Sequence, residues 1–136
     1  MSGIVDLDVL LASLTARLVE GVFVFTTNPP VSLGSDVPVK MRFEEAEGTT
    51  VILLRDDAKR LDIPYEFPCR MITLEIHSSL EAVGFMAKIA GELARAGMGV
   101  NPVSGFYHDH LFVPDGRERE ALEILADIAE NAQQSA

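Results

Sequence analysis

The residues with the most chemistry to offer stand in one run, His77, Ser78, Ser79, Leu80, Glu81, Ala82, Val83 and Gly84, and in a second, His108, Asp109 and His110. In the first run Ser78 and Glu81 have the S-x-x-E spacing of a capping box, which would start a helix there and satisfy two orphan amides. A helix start presents free N–H donors and a partial positive charge, so with two serine hydroxyls beside it this point could hold a carboxylate or phosphate. The bland alternative is that Ser78 only caps and Ser79 only meets water. In the second run the two histidines share a strand face and could reach one ion or act as a base near neutral pH. Zinc needs three or four ligands, and no cysteine is near. His77, at the end of an expected strand over 71–77, should lie roughly 10 to 15 Å from His108 at ~3.3 Å per residue. A polar turn or a ligand-contacting loop is the better reading of this segment.

Other motifs lead nowhere. Gly97 and Gly99 follow a helix and precede a strand, the wrong order for a dinucleotide fingerprint, and no phosphate loop occurs. Glu44, Glu45 and Glu47 beside Gly48 read as a solvated hairpin tip, since no base or nucleophile can be paired with them. No cofactor and no metal are expected. The 136 residues carry 21 acidic and 11 basic side chains, a net charge of -10, so the surface repels nucleic acid and anionic lipid. Cys69 is the only cysteine, which excludes an internal disulfide and suits a reducing compartment, the cytoplasm by default. The first eight residues have no basic, apolar pattern of a signal. The longest apolar region, 82–100, is broken by Lys88, Glu92 and Arg95 and is no membrane span. A soluble domain follows.

The elements that must position these residues come from periodicity. Leu7, Leu10, Leu11, Leu14 and Leu18 form one helical stripe, capped by Asp6 and ended by Gly21. Strands are expected at 22–27, 39–44 and 49–54, with 28–38 as a loop, then a short helix at 56–61 and a linker at 65–68. In the strand 71–77, Ile72, Leu74 and Ile76 face the core. A helix follows on the stripe Val83, Met86, Ala87, Ala90, Leu93 and Ala94, stopped by Gly97 in the left-handed conformation. Strands at 100–105 and 110–113 precede a last helix, opened by a second capping box at Asp115 and Glu118, with a frayed end at 131–136. The fold class is α+β, with one helix-and-hairpin plan used twice and helices on one face of an antiparallel-rich sheet. The division expected is an N-terminal half, 1–66, and a C-terminal half, 67–136.

The runs His77-Ser-Ser-Leu-Glu-Ala-Val-Gly84, Asn101, and Ser104-Gly-Phe-Tyr-His-Asp-His-Leu-Phe-Val-Pro114 resemble those of small bacterial paired ACT-domain proteins of uncharacterised function. The stretches 21–25 and 44–54 agree, so the resemblance spans about residues 6 to 130. It implies tandem ferredoxin-like units that bind an amino acid or another small ligand, commonly to regulate an enzyme or transporter, and it implies no reaction. It also places the ligand at His77–Gly84, with Asn101 contributing from a neighbour, in a homodimer. This chain departs from the usual pattern in having no Asp-x-x-Gly turn there and no fused catalytic domain. The ligand contacts expected are thus His77, Ser78, Ser79, Leu80, Glu81, Val83, Gly84, Asn101, His108 and His110. The rival reading is a small metal-dependent or histidine-based enzyme using His108, Asp109 and His110. The sheet face bearing Thr73, Glu75, His77, His110 and Phe112 has no helix of its own to cover it, so it is expected to pack on another sheet, within the chain or across a dimer.

Overall fold

A computed structural model describes residues 3–29, 33 and 36–135. In chain order the elements are α1 (Leu7–Ala12), β1 (Ala16–Leu18), β2 (Phe23–Thr27), β3 (Val39–Glu44), β4 (Thr49–Leu54), α2 (Arg55–Arg60), β5 (Glu66–Leu74), α3 (Phe85–Arg95), β6 (Asn101–Ser104), β7 (Asp109–Pro114) and α4 (Glu118–Gln134). They form two compact units, Met1–Val19 with Arg70–Ala136, and Glu20–Cys69. Residues 3–19 therefore pack with the C-terminal part of the chain.

The reason lies in where the leucine stripe goes. Asp6 Oδ1 accepts from the Val9 N–H at 3.1 Å and opens α1 as expected, but the helix stops at Ala12 instead of running to Gly21. From Thr15 onward the chain is extended. Ala16, Arg17 and Leu18 pair antiparallel with Leu74, Thr73 and Ile72. The spacing that put Leu18 on the helix face also suits a strand, with Arg17 exposed between two half-buried apolar residues. Leu10 and Leu14 join Ile72, Leu74, Phe85, Ile89, Leu93, Leu111, Val113 and Leu125 in a single buried cluster.

Within this unit the strand order is β1-β5-β7-β6. With α3 after β5 and α4 after β7, the plan is strand, helix, strand, strand, helix, strand, and the last strand is β1 from the other end of the chain. The Glu20–Cys69 unit has the order β3-β4-β2-β5 and builds the same plan from β2, β3, β4, α2 and the first residues of β5. Between β2 and β3, where the plan has its first helix, no described residue is helical. Its core is Val24, Val51, Leu53, Ala58 and Ile63.

Several local expectations change. Residues 66–68 are strand, not linker: Glu66 pairs with Phe25 and Cys69 with Phe23 across an irregular register. Pro68 had hidden this, and Phe67 takes a positive φ of 55° there while its ring meets Phe25 edge-on at 5.8 Å. Cys69 is buried and its thiol donates to the Phe23 carbonyl at 3.3 Å. At α4 the N-cap is Arg117, without a side-chain cap bond. The Arg117 guanidinium instead donates to the carbonyls of Ala96 and Gly97 at 2.9 and 3.0 Å, covering the exposed end of α3. Gly97 has the left-handed φ of 72° expected of it. The last helix continues to Gln134, and Gln133 Nε2 donates to the Ala12 carbonyl at 2.8 Å, so 131–134 is not frayed. Ala136 lies outside the described residues.

Glu118 ties β5 to α4 through Arg70 at 3.1 Å. Burial by itself would raise the Glu118 pKa. Its own N–H, the Gly116 N–H and the charges of Arg70 and Arg119 together outweigh that, and the carboxyl titrates below its ordinary value.

Thr73 and Phe112, on the sheet face opposite the helices, are both buried, so this part of the face expected to need a cover is not solvated. Glu75 on the same face is exposed.

Candidate ligand-binding site

β5 ends at Leu74, three residues earlier than expected, and the chain then turns twice, with Ile76 N–H bonding to the Leu74 carbonyl and Ser78 N–H to the Ile76 carbonyl, both at 2.9 Å. The capping box does not form. Gly84, at φ 90°, is the N-cap of α3, which begins at Phe85. The buried stripe is Phe85, Ile89 and Leu93, while Val83 is 82% exposed. Burial of Phe85 thus sets the helix start, and the Ser78 hydroxyl, instead of accepting from a helix amide, donates to a carboxylate.

That acceptor is Asp109. Ser78 Oγ donates to Asp109 Oδ2 at 2.9 Å, and Ser104 Oγ donates to Oδ1 at 2.6 Å. Asp109 is 8% exposed, and Ser78 and Ser79 are also buried. Ser79 Oγ accepts from the Glu81 N–H at 3.1 Å, a local turn that holds the loop. The hairpin between β6 and β7 brings Ser104 opposite Asp109, and Gly105 N–H bonds to the His108 carbonyl at 2.9 Å. A Cβ at Gly105 would sit at a tight 3.2 Å from that carbonyl.

A cavity of about 110 Å³ is lined by Ser78, Ser79, Leu80, Ala82, Phe85, Met86, Ser104 and Asp109. At ~30 Å³ per water it holds the equivalent of three or four waters, space for the head group of a small metabolite. A carboxylate has about four lone-pair positions, and the serines use two, so Asp109 retains accepting capacity. Larger grooves exist, of about 470 Å³ along α1, α3 and α4, and about 610 Å³ along α4 beside β1. Size favours them and chemistry does not: the polar groups of the first include Lys88 and Glu92, already ion-paired at 3.3 Å, and the second is mostly leucine and alanine.

The loop His77–Gly84 and the β6–β7 hairpin therefore meet, with Ser78, Ser79 and Leu80 on the cavity. The His77 ring lies 5.4 Å from that of Tyr107 and 6.3 Å from that of Phe106, nearer the hairpin than a strand-end position would allow. Phe106 and Tyr107 are 59% and 63% exposed. Leu80 is 65% exposed, and the Glu81 side chain and Val83 face outward. Asn101 sits opposite Phe112, three residues from Ser104 on the edge strand β6, roughly 10 Å along it. It is not brought to the cavity. His110 pairs with Val103, and its Nδ1 lies 3.0 Å from Thr73 Oγ1. The ring centroids of His108 and His110 are 6.4 Å apart. Among the described residues no three His, Cys, Asp or Glu side chains gather as a metal site. Sequence reasoning placed Asp109 only in the rival reading with its neighbouring histidines and did not single out Ser104, because the serine partners of Asp109 are 31 and 5 residues away.

Two family models, both described as ACT domain, match this chain, at residues 2–70 and 66–127. A Vibrio cholerae protein, described as of unknown function and a possible transport protein, is 34% identical over 90% of this chain and 95% of its own, with a TM-score of 0.79. A protein from Agrobacterium tumefaciens is 16% identical, covers 85% and 89%, and superposes at 0.70. The ligand-free regulatory subunit of aspartate kinase from Thermus thermophilus is 11% identical, covers 85% and 98%, and superposes at 0.61. These last two are likenesses of fold. No curated protein matches the sequence. No helix among the described residues is long and apolar enough to cross a membrane. With the strand–helix–strand–strand–helix–strand plan traced above and its α+β, ferredoxin-like sheet in tandem, the chain belongs to the ACT-domain family.

Proposed function

We propose that this protein is a regulatory module that binds a small molecule bearing an ammonium group, an amino acid above all, in the cavity between the His77–Gly84 loop and the β6–β7 hairpin. The observation that carries this is Asp109: a buried carboxylate, held by two serine hydroxyls, lining a cavity with room for a few heavy atoms. Buried charge is costly unless it is paired, and an ammonium group would pair it. Ser79 and Leu80 would contact the rest of the ligand, with His77 near the mouth. His108, His110, Glu81, Val83, Gly84 and Asn101 would act less directly, Asn101 only from a second copy. The family and the likeness to an aspartate kinase regulatory subunit support regulation. A homodimer in the cytoplasm belongs to the same proposal.

Binding is favoured over turnover by the partners on hand. Asp109 is engaged by serines and not by a histidine, and His110 faces Thr73. A hydroxyl does stand beside an imidazole there, but Thr73 is buried and neither it nor His110 lines the cavity, and the Ser78 and Ser104 hydroxyls are both spent on one carboxylate with no imidazole to take their protons.

The test is titration calorimetry of the full chain with the twenty L-amino acids and with the α-hydroxy acids that lack the ammonium group. Binding of one or a few amino acids, with hydroxy-acid counterparts at least tenfold weaker, is expected. Equal binding of the hydroxy acids would remove Asp109 from the site, and silence throughout would defeat the reading.

A further inference from the structure

The ligand loop is held from behind by a segment far from it in sequence. Ile4 N–H donates to the His77 carbonyl at 2.8 Å, and Ser79 N–H donates to the Ile4 carbonyl at 2.8 Å. Ile4 and Ser78 form an isolated parallel bridge. The residue between these two bonds, Ser78, is the one whose hydroxyl reaches Asp109. We infer that Gly3–Val5 is a strap that sets the loop in its binding form, and that Gly3 and Ile4 are positioning residues for the site. This inference rests on the function proposed above.

Position 3 has no room for a side chain. A Cβ on Gly3 would lie 2.7 Å from Ser79 N and 2.9 Å from Ser78 C and Ser79 Cα, all of them backbone, and its φ of 94° also favours glycine. Close approach of the strap is therefore a requirement of its sequence. Its hold is nonetheless light. Ile4 and Val5 are 36% and 43% exposed and are not among the residues packed on the cluster around Leu10. The next residues are firm, since Asp6 caps α1 and Leu10 is fully buried. The strap is thus hinged on a fixed point and attached to the loop through backbone bonds.

None of its residues lines the cavity, so it braces the loop and does not plug the site. It also takes the Ser79 amide, so an incoming ligand must be read by side chains and not by that donor. Ligand binding and strap closure then favour each other, and by linkage whatever lifts the strap weakens the ligand by the same factor.

Gly3→Val and, as a second route, Ile4→Pro, made in the full chain, test this by amide hydrogen exchange and by thermal shift with each of the twenty L-amino acids. Val5→Ser is the control. Expected are at least tenfold faster exchange at Ser79 in both variants with Ile89 and Leu111 unchanged, and at least fivefold weaker binding of any amino acid that stabilises the parent. That amino acid should also slow Ser79 exchange in the parent. Unchanged Ser79 exchange would overturn the strap. Faster exchange with unaltered affinity would overturn its role in positioning. Should no amino acid stabilise the parent, the proposed function and the positioning role fall together, and the exchange data still decide whether the strap holds the loop.

Discussion

Asp109 joins the hairpin to the loop and, in the proposed function, also meets the ligand, and substitution can separate the two. Ser78→Ala leaves Asp109 Oδ2 without its donor in a buried setting, which costs about 1–3 kcal/mol, read as a lower urea midpoint. Asp109→Asn keeps the shape and most of the hydrogen bonding while removing the charge. It should change stability less than Ser78→Ala and yet lose amino-acid binding by at least tenfold. If Asp109→Asn proves the more destabilising of the two and binding persists, Asp109 is a brace for the hairpin and nothing more. The pair Ser78–Ser79 was legible as polar in the sequence, but the target that Ser78 shares with Ser104 was not, because a hydrogen bond across 31 residues leaves no spacing to read.

At the scale of elements, α1 decides how the chain is divided. Its leucines fill the core of a unit whose other members begin at Arg70. Leu10→Ala should therefore cost about 2–5 kcal/mol by chemical denaturation, and its effects on amide exchange should appear at Ile89, Leu93 and Leu125. Protection lost only within residues 20–69 would contradict that packing. The strands and helices from 23 to 60 were readable from alternation and turn residues, since both are local. Helix starts were less so. Two S/D-x-x-E patterns suggested caps, yet α3 starts at a left-handed glycine and α4 at Arg117, because the buried stripe and the available acceptors outweigh a cap worth about 1 kcal/mol.

For the whole molecule, β1 completes the sheet that α3 and α4 cover, so a fragment of residues 67–136 lacks both a strand and two buried leucines. It should be unfolded, or melt far below the full chain, by circular dichroism, and a fragment that melts like the full chain would refute this assignment. Acid should also act through the tie between β5 and α4. Glu118 has a folded pKa below its unfolded value of about 4.3, so its contribution is complete above that value and is lost as the pH falls through the lower folded one. Glu118→Gln should accordingly show a shallower loss of stability with acid than the parent below about pH 4; parallel acid limbs would show that the tie carries no weight.

Alternation and helical stripes, charge and single-residue breakers determined the class of fold and the positions of most elements, because each depends on residues a few places apart. Even the family was legible, from the runs 77–84 and 104–114. What the tertiary structure alone decided was long-range partnership: that 16–18 is a strand against 72–74, that Ile4 braces Ser79, and that Asp109 is shared by Ser78 and Ser104. In each case the backbone or side-chain group has several chemically equal partners along the chain, and only packing the core chooses among them.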